Sequence, residues 1–182
     1  MKQLGSRSGN WLTRHQARML LEKSDGESLR RIRDVAMISI LLACGLRRAE
    51  LVSLRKEAVQ IRQGHWAIVD LVGKGGHVRT VPVPGWVKSA VDRWMSAADV
   101  TEGRVFRAVS RHGTAWGKGV TENVVRYVVR NCAVRMQLDH LAPHELRRTF
   151  AKLCHVNGGR VGTDPLPSRP RLGSDDGTVP RM

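Results

Sequence analysis

Cysteine, aromatic residues and long apolar runs are all scarce in this 182-residue sequence, which has three cysteines and 4% aromatic residues. The cysteines are Cys44, Cys132 and Cys154, and none of them forms a C-x-x-C pair with another. We interpret this odd set as reduced core thiols of a cytosolic protein, with zinc binding as a distant alternative. We therefore expect no bound metal and no cofactor.

No apolar run approaches the roughly 18 residues that a membrane-spanning helix needs. The longest run, at positions 35–44, is short and is interrupted by Ser39. Residues 1–10 are basic and polar and are not followed by an apolar stretch, so they do not resemble a secretory signal. These absences predict a cytoplasmic protein without a membrane partner.

Acidic residues are also few, since 16 aspartates and glutamates stand against 31 lysines and arginines. The formal net charge is +15 and the isoelectric point is near 11.2. Hydrophobic residues make up 41% of the chain, which is enough for a packed core and argues against a disordered basic tail. The sequence therefore predicts one folded domain that binds a polyanion.

Hydrophobic periodicity predicts a mainly α domain with a small antiparallel β-sheet, an α+β fold. Helical spacing predicts helices over 13–22, 28–44, 48–54, 86–98, 121–136 and 143–157. Between residues 65 and 83 the pattern changes to period two around a glycine-rich turn, which predicts a β-hairpin. The expected organisation is a flexible segment over 1–10, a folded domain over 11–159 and a disordered tail over 160–182 with four prolines and no apolar periodicity.

Three motifs, far apart in the chain, combine basic residues with glycine or histidine. Residues 45–51 read G-L-R-R-A-E-L, residues 73–79 read G-K-G-G-H-V-R, and residues 144–151 read H-E-L-R-R-T-F-A. The charged oxygens of a phosphodiester become more negative in a pentacoordinate transition state, and an arginine guanidinium matches their geometry. Arg47, at a helix junction, and Arg147, on a helix, are placed to converge on one phosphate. His144 shares a helix face with Arg147, three residues later.

In order and spacing the motifs resemble the tyrosine recombinase (phage integrase) catalytic domain over residues 11–159. The resemblance implies the breakage and rejoining of double-stranded DNA, as in DNA integration and recombination, with other recombinase protomers as further partners. It implies a phosphate clamp of Arg47 and Arg147, assistance from His144, general acid catalysis by Lys74 and an orienting role for Glu50. The DNA contacts that we predict are Arg48, Lys74, Arg79 and Arg148.

Each of these residues also has a simpler interpretation. An arginine in such a basic chain is most often a solvated surface residue. Lys74 alone would fit the tip of a hairpin, and His144 would fit a helix N-terminus as a polar cap. Three motifs in the family's order favour the functional interpretation. Trp116, in a loop rich in glycine and lysine, is predicted to pack, with DNA contact as the alternative.

The resemblance fails at the nucleophilic tyrosine that the family carries. The single tyrosine of this sequence, Tyr127, precedes the third motif and lies among valines at helical spacing, which predicts a half-buried core residue. Without a nucleophile no covalent phosphotyrosine intermediate can form. We therefore expect a chain that retains the clamp residues but is inactive in strand cleavage.

Residues 160–182 are further interpreted as an out-of-frame tail. With suitable codons, residues 162–182 read one nucleotide later contain leucine-leucine-glycine-histidine and then threonine-threonine-x-x-tyrosine, which resembles the missing end of the family, with the tyrosine over Val179. The first hypothesis is thus a recombinase domain of a mobile element that has lost its reading frame. The second is a selected, non-catalytic DNA-binding protein that competes with an intact recombinase. A general basic nucleic-acid-binding domain is a third.

Overall fold

The computed structural model describes residues 11–24, 28–73, 75–138 and 141–156. The helices in these ranges are α1 (Arg14–Ser24), α2 (Leu29–Cys44), α3 (Arg48–Ser53), α4 (Gly85–Ala97), α5 (Glu122–Arg135) and α6 (Pro143–Val156). The strands are β1 (Val59–Arg62), β2 (His65–Val72), β3 (Val78–Pro82), β4 (Ala108–Val109) and β5 (Ala115–Trp116). The predicted fold class is confirmed. The predicted segments over 1–10 and 160–182 lie outside the described residues.

Helix α2 forms the centre of the core, in agreement with its nearly continuous apolar sequence. Its N-terminus is capped by Ser28, whose hydroxyl accepts a hydrogen bond from the Arg31 backbone N–H. Every residue from Ala36 to Cys44 is buried. The helices α1, α3, α4, α5 and α6 all contact α2. Because burial of each large apolar side chain contributes roughly 1.5–3 kcal/mol, α2 holds the other helices in their relative positions.

The glycine-rich turn lies in an antiparallel sheet with the strand order β1-β2-β3. The predicted hairpin corresponds to β2 and β3, whose pairing ends with Val72 opposite Val78. Strand β1 was not predicted and adds a third strand, with Val59 paired to Ile68 of β2. A β-bulge between Ile68 and Leu71, with Asp70 at a φ of 52°, locally bends β2. Beyond the bulge, Leu71 is paired with Arg79.

The position of Tyr127 on α5 differs from the prediction. The helix buries Val125, Val128, Val129 and Cys132 against the core. Tyr127 is 62% exposed, so its prediction as a half-buried core residue is wrong. The physical reason is that two residues along an α-helix correspond to a rotation of about 200°, which places Tyr127 opposite Val125.

Trp116, which we predicted to pack, is an exposed residue of β5. The three cysteines form no disulfide, with Cys44 and Cys132 buried and Cys154 half-buried. Burial raises the pKa of the Cys44 thiol to about 12. Within the residues that the structure covers, no helix has both the length and the apolar character needed to cross a membrane.

Candidate phosphate-binding site

The site is built at the junction between α2 and α3. Gly45 ends α2 in the left-handed conformation, with a φ of 59°, and its Cα lies directly beneath the ring of Phe150 from α6. Leu46 is buried, and Arg47 follows in an extended conformation as the N-cap of α3. The backbone on both sides of Arg47 is therefore fixed by packing.

A single buried carboxylate organises this junction. Glu50, whose side chain is 4% exposed, accepts the backbone N–H of Arg47 at 2.7 Å and its Nη1 at 2.9 Å. The same carboxylate accepts two hydrogen bonds from the guanidinium of Arg79 on β3, from Nη1 at 2.9 Å and from Nη2 at 2.8 Å. Glu50 thus joins the helix junction to the sheet through a charge-assisted, bidentate pair.

The third arginine of the site comes from α6. Arg147 Nη1 donates a hydrogen bond to the backbone carbonyl of Gly45. Helix α6 is held by the buried side chain of Leu146 and by Thr149, whose hydroxyl accepts the Leu12 backbone N–H at 2.9 Å. The guanidinium of Arg147 is therefore anchored to the same turn that positions Arg47.

Burial and neighbouring charges shift the pKa values of Glu50, Arg79 and Arg147. Burial raises the pKa of Glu50, but the hydrogen bonds from Arg79 and Arg47 outweigh it, so that the pKa falls to about 2. The hydrogen bonds to Glu50 raise the pKa of Arg79. The pKa of Arg147 is lowered by burial first and then by the positive charge of Arg47, against the opposing effect of Glu50.

Three guanidinium groups around one carboxylate leave two positive charges at the site. Arg47 remains accessible, with 45% of its side chain exposed. Gly73, at the start of the glycine-rich turn, lies beside these groups, because a Cβ on it would be 3.0 Å from Arg79 Nη1 and 3.3 Å from Arg47 Nη1. An exposed concentration of positive charge with fixed N–H donors is suited to bind a phosphate oxygen.

The structure brings together Arg47, Glu50, Arg79 and Arg147 out of the residues predicted from sequence. His144 is exposed on α6, three residues before Arg147. Arg148 is exposed on the same helix, and Arg48 forms an exposed ion pair with Glu122 of α5 at 3.5 Å. Lys74 lies outside the described residues. The roles predicted for these side chains stay predictions.

Sequence reasoning missed the connection between Arg79 and Glu50. Arg79 pairs across the sheet with the buried Leu71 and shares its parity with Val81, so its side chain lies on the core face of β3. The alternation of apolar residues along β3 carried this signal. A carboxylate predicted beside a buried apolar helix also requires a cationic partner, because an unpaired buried charge is costly.

Comparison with known proteins identifies relatives of this chain. Residues 10–158 match the model of the phage integrase family. The tyrosine recombinase XerC of Pseudomonas aeruginosa is 34% identical over 122 residues, covering 65% of this chain and 37% of that protein. The tyrosine recombinase XerD of Vibrio cholerae is 34% identical over 148 residues, covering 77% of this chain and 46% of that protein. The chain thus spans less than half the length of these relatives.

Solved structures share the fold at lower identity. The crystal structure of XerA recombinase superimposes with a TM-score of 0.66 and 23% identity, over 85% of this chain and 52% of that one. The XerH site-specific recombinase, bound to its difH substrate in a pre-cleavage complex, superimposes with a TM-score of 0.63 and 20% identity, over 81% of this chain and 43% of that one. Both similarities show that the fold is shared.

Proposed function

The chain belongs to the phage integrase family, and on that premise we propose that it binds double-stranded DNA at a phosphodiester through Arg47 and Arg147, as a recombinase-type catalytic domain. The observation that carries the proposal is the cluster of three guanidinium groups around the single carboxylate of Glu50. The structure of the Tn1549 transposon integrase in complex with circular intermediate DNA, which has the same fold, supports DNA as the ligand.

The hydrogen bonds of the cluster divide its arginines into two kinds. The guanidinium of Arg79 is directed at Glu50 through both Nη atoms. Arg47 gives one guanidinium N–H to Glu50, and Arg147 gives one to the Gly45 carbonyl. A guanidinium has five N–H donors, so Arg47 and Arg147 retain donors for the non-bridging oxygens of a phosphate. These two residues form the clamp.

His144 and Lys74 complete the proposed site. His144 is exposed on α6, three residues before Arg147, and we propose that its imidazole hydrogen bonds to a phosphate held by that arginine. Lys74 follows Gly73, whose Cα lies beside the guanidinium groups of Arg47 and Arg79. The proposed role of Lys74 is general acid catalysis, and Arg48 and Arg148 are proposed as contacts to flanking phosphates.

Duplex binding is expected to weaken steeply with salt. Each neutralised phosphate contributes about −0.9 to the slope of log K against log salt, so the single phosphate held by Arg47 and Arg147 predicts by itself a loss of roughly three- to fourfold between 50 and 200 mM NaCl. Further contacts from a chain with a net charge of +15 should steepen the slope. Fluorescence anisotropy with a labelled 25-base-pair duplex measures it. Affinity that does not change over this range would contradict the proposed function.

Substitution of the clamp arginines should weaken binding more than substitution of other arginines. A charge-assisted hydrogen bond contributes about 1.5–3 kcal/mol, so Arg47→Ala and Arg147→Ala are each expected to lower the affinity for the duplex by roughly 10- to 100-fold. Arg55→Ala and Arg62→Ala are matched controls on exposed positions and should change it by less than about threefold. The same anisotropy assay compares all four. Equal losses of affinity in all four variants would show that binding depends on the overall positive charge and not on a specific clamp.

We further propose that this chain does not cleave the DNA that it binds, because its single tyrosine, Tyr127, lies on α5, a helix that carries none of the arginines clustered around Glu50. A nicked suicide duplex is expected to yield no covalent adduct on denaturing gels. Tyr127→Phe should change duplex affinity by less than about twofold and stability by less than about 0.5 kcal/mol. An adduct mapped to Tyr127 would overturn this part of the proposal.

The out-of-frame interpretation of residues 160–182 is a separate proposal with its own check. The encoding DNA, read one nucleotide later from the codon of Gly162, should contain a tyrosine codon over Val179. If it does, a frame-corrected protein is expected to form the adduct that this chain lacks, since covalent catalysis depends on that one group. If it does not, the competing non-catalytic DNA-binding protein is the better account.

A further inference from the structure

We propose that Arg79 is a positioning residue that occupies the carboxylate of Glu50 and thereby leaves the guanidinium of Arg47 available to a phosphate. The inference rests on the proposed function and deepens it. The sequence predicted a direct contact between Arg79 and DNA. We infer instead that Arg79 affects DNA binding through Glu50.

The orientation of Arg79 supports an indirect role. Arg79 is paired opposite Leu71, a buried residue of β2, and directly opposed residues of an antiparallel pair project to the same face of the sheet. Its neighbours Val78 and Thr80 are on the other face and are exposed. The side chain of Arg79 thus points from the sheet towards the helices and ends on Glu50.

Two arginines share the hydrogen-bond acceptors of the Glu50 carboxylate, and this sharing explains how Arg79 would affect Arg47. Oε1 of Glu50 accepts from Arg79 Nη1 and from Arg47 Nη1, both at 2.9 Å. Oε2 accepts from Arg79 Nη2 at 2.8 Å and from the Arg47 backbone N–H at 2.7 Å. Both oxygens are therefore satisfied while the guanidinium of Arg47 contributes a single hydrogen bond.

Removal of Arg79 would change that division. A carboxylate with a 4% exposed side chain requires a cationic partner, and Arg47 is the other guanidinium already bonded to it. We expect the guanidinium of Arg47 to rotate and to donate hydrogen bonds to both oxygens of Glu50. The carboxylate then neutralises its charge, and these N–H groups are no longer available to a phosphate. The affinity for DNA then falls although Arg79 does not touch the DNA.

A double-mutant cycle on the full chain tests this inference. Arg79→Gln, Glu50→Gln and the double variant are compared with the unmodified protein by anisotropy on the same 25-base-pair duplex at 100 mM NaCl. Arg79→Gln is expected to lower the affinity by about tenfold, the loss of one charge-assisted contact. In the Glu50→Gln background the same substitution should cost less than about twofold, because no carboxylate remains to capture Arg47.

The cycle separates an action through Glu50 from the alternatives. A direct phosphate contact by Arg79 predicts the same loss in both backgrounds, and that additivity would overturn the inference. A general structural defect predicts a greater loss in the double variant, which would overturn it as well. Arg62→Gln, on the exposed end of β1, is the matched control and should change affinity by less than about twofold in either background.

A conservative variant covers the case in which Arg79→Gln is unfolded at the assay temperature, as followed by circular dichroism. Arg79→Lys retains the charge but cannot occupy both oxygens, so a loss of about threefold is expected, again removed by Glu50→Gln. Failure of the proposed function has a different signature, namely binding that is independent of salt or Arg147→Ala that behaves like Arg62→Ala. If the Arg147 effect is present and the Arg79 and Glu50 effects add, only this inference fails.

Discussion

Replacement of Gly45 by alanine is expected to lower the free energy of unfolding by about 3 kcal/mol. Two costs combine at this position. A φ of 59° is the left-handed region, which costs a residue with a Cβ about 1–2 kcal/mol. The added Cβ would also overlap the ring of Phe150, and overpacking of a core costs typically 1–3 kcal/mol. Urea unfolding followed by circular dichroism measures the change.

Gly64 provides a matched control for the backbone cost. Its φ is 78°, also left-handed, but a Cβ there would meet no atom within 4 Å. Gly64→Ala is therefore expected to cost about 1 kcal/mol, the conformational part alone. If Gly45→Ala lowers the free energy of unfolding by no more than Gly64→Ala does, the overlap with Phe150 does not contribute to the cost.

A second substitution isolates the contact with the ring. Phe150→Leu removes ring atoms from above Gly45, so Gly45→Ala should cost less in that background than in the unmodified protein, by about 1 kcal/mol or more. Because the carbonyl of Gly45 accepts the hydrogen bond from Arg147, the same variants connect core packing to the proposed clamp. Gly45→Ala is therefore also expected to lower duplex affinity, and to lower it less in the Phe150→Leu background.

The second large effect is a loss of stability in acid that depends on Glu50. The pKa of this carboxylate is lowered from an ordinary 4.5 to about 2 in the folded protein. A lowered pKa means that the stabilisation is fully present above the unfolded pKa and is lost as the pH falls from about 4.5 towards 2. For this shift the loss amounts to about 3 kcal/mol.

The measurement is the free energy of unfolding between pH 6 and pH 2.5, for the unmodified protein and for Glu50→Gln. The variant should be less stable at pH 6, and the difference between the two proteins should shrink as the pH decreases. Asp34, whose pKa is raised by burial against the charge of Arg33, contributes in the opposite direction, but it is present in both proteins and cancels in the difference. Parallel pH profiles would refute a stabilising role of ionised Glu50.

Several elements could be predicted because their causes are local. Helix α2 follows from an apolar run between the N-cap Ser28 and the terminating Gly45, both of which act on adjacent backbone. The hairpin of β2 and β3 follows from alternation on both sides of a glycine-rich turn. Strand β1 was missed although its four residues alternate apolar and polar, because so short a run gives a weak signal. The exposed position of Tyr127 depends on which face of α5 the core covers, and tertiary packing decides that.

The sequence by itself determined the class of fold and predicted the residue types of the proposed site, including the two arginines of the proposed clamp, since motif spacing and periodicity are properties of the chain. The tertiary structure alone decided that Arg79 meets Glu50, that Arg147 donates to the carbonyl of Gly45, and that Phe150 covers that glycine. These contacts join residues 29, 102 and 105 positions apart. The physical reason is that a buried carboxylate or carbonyl takes the partner that packing brings within hydrogen-bond distance, wherever that partner lies in the chain.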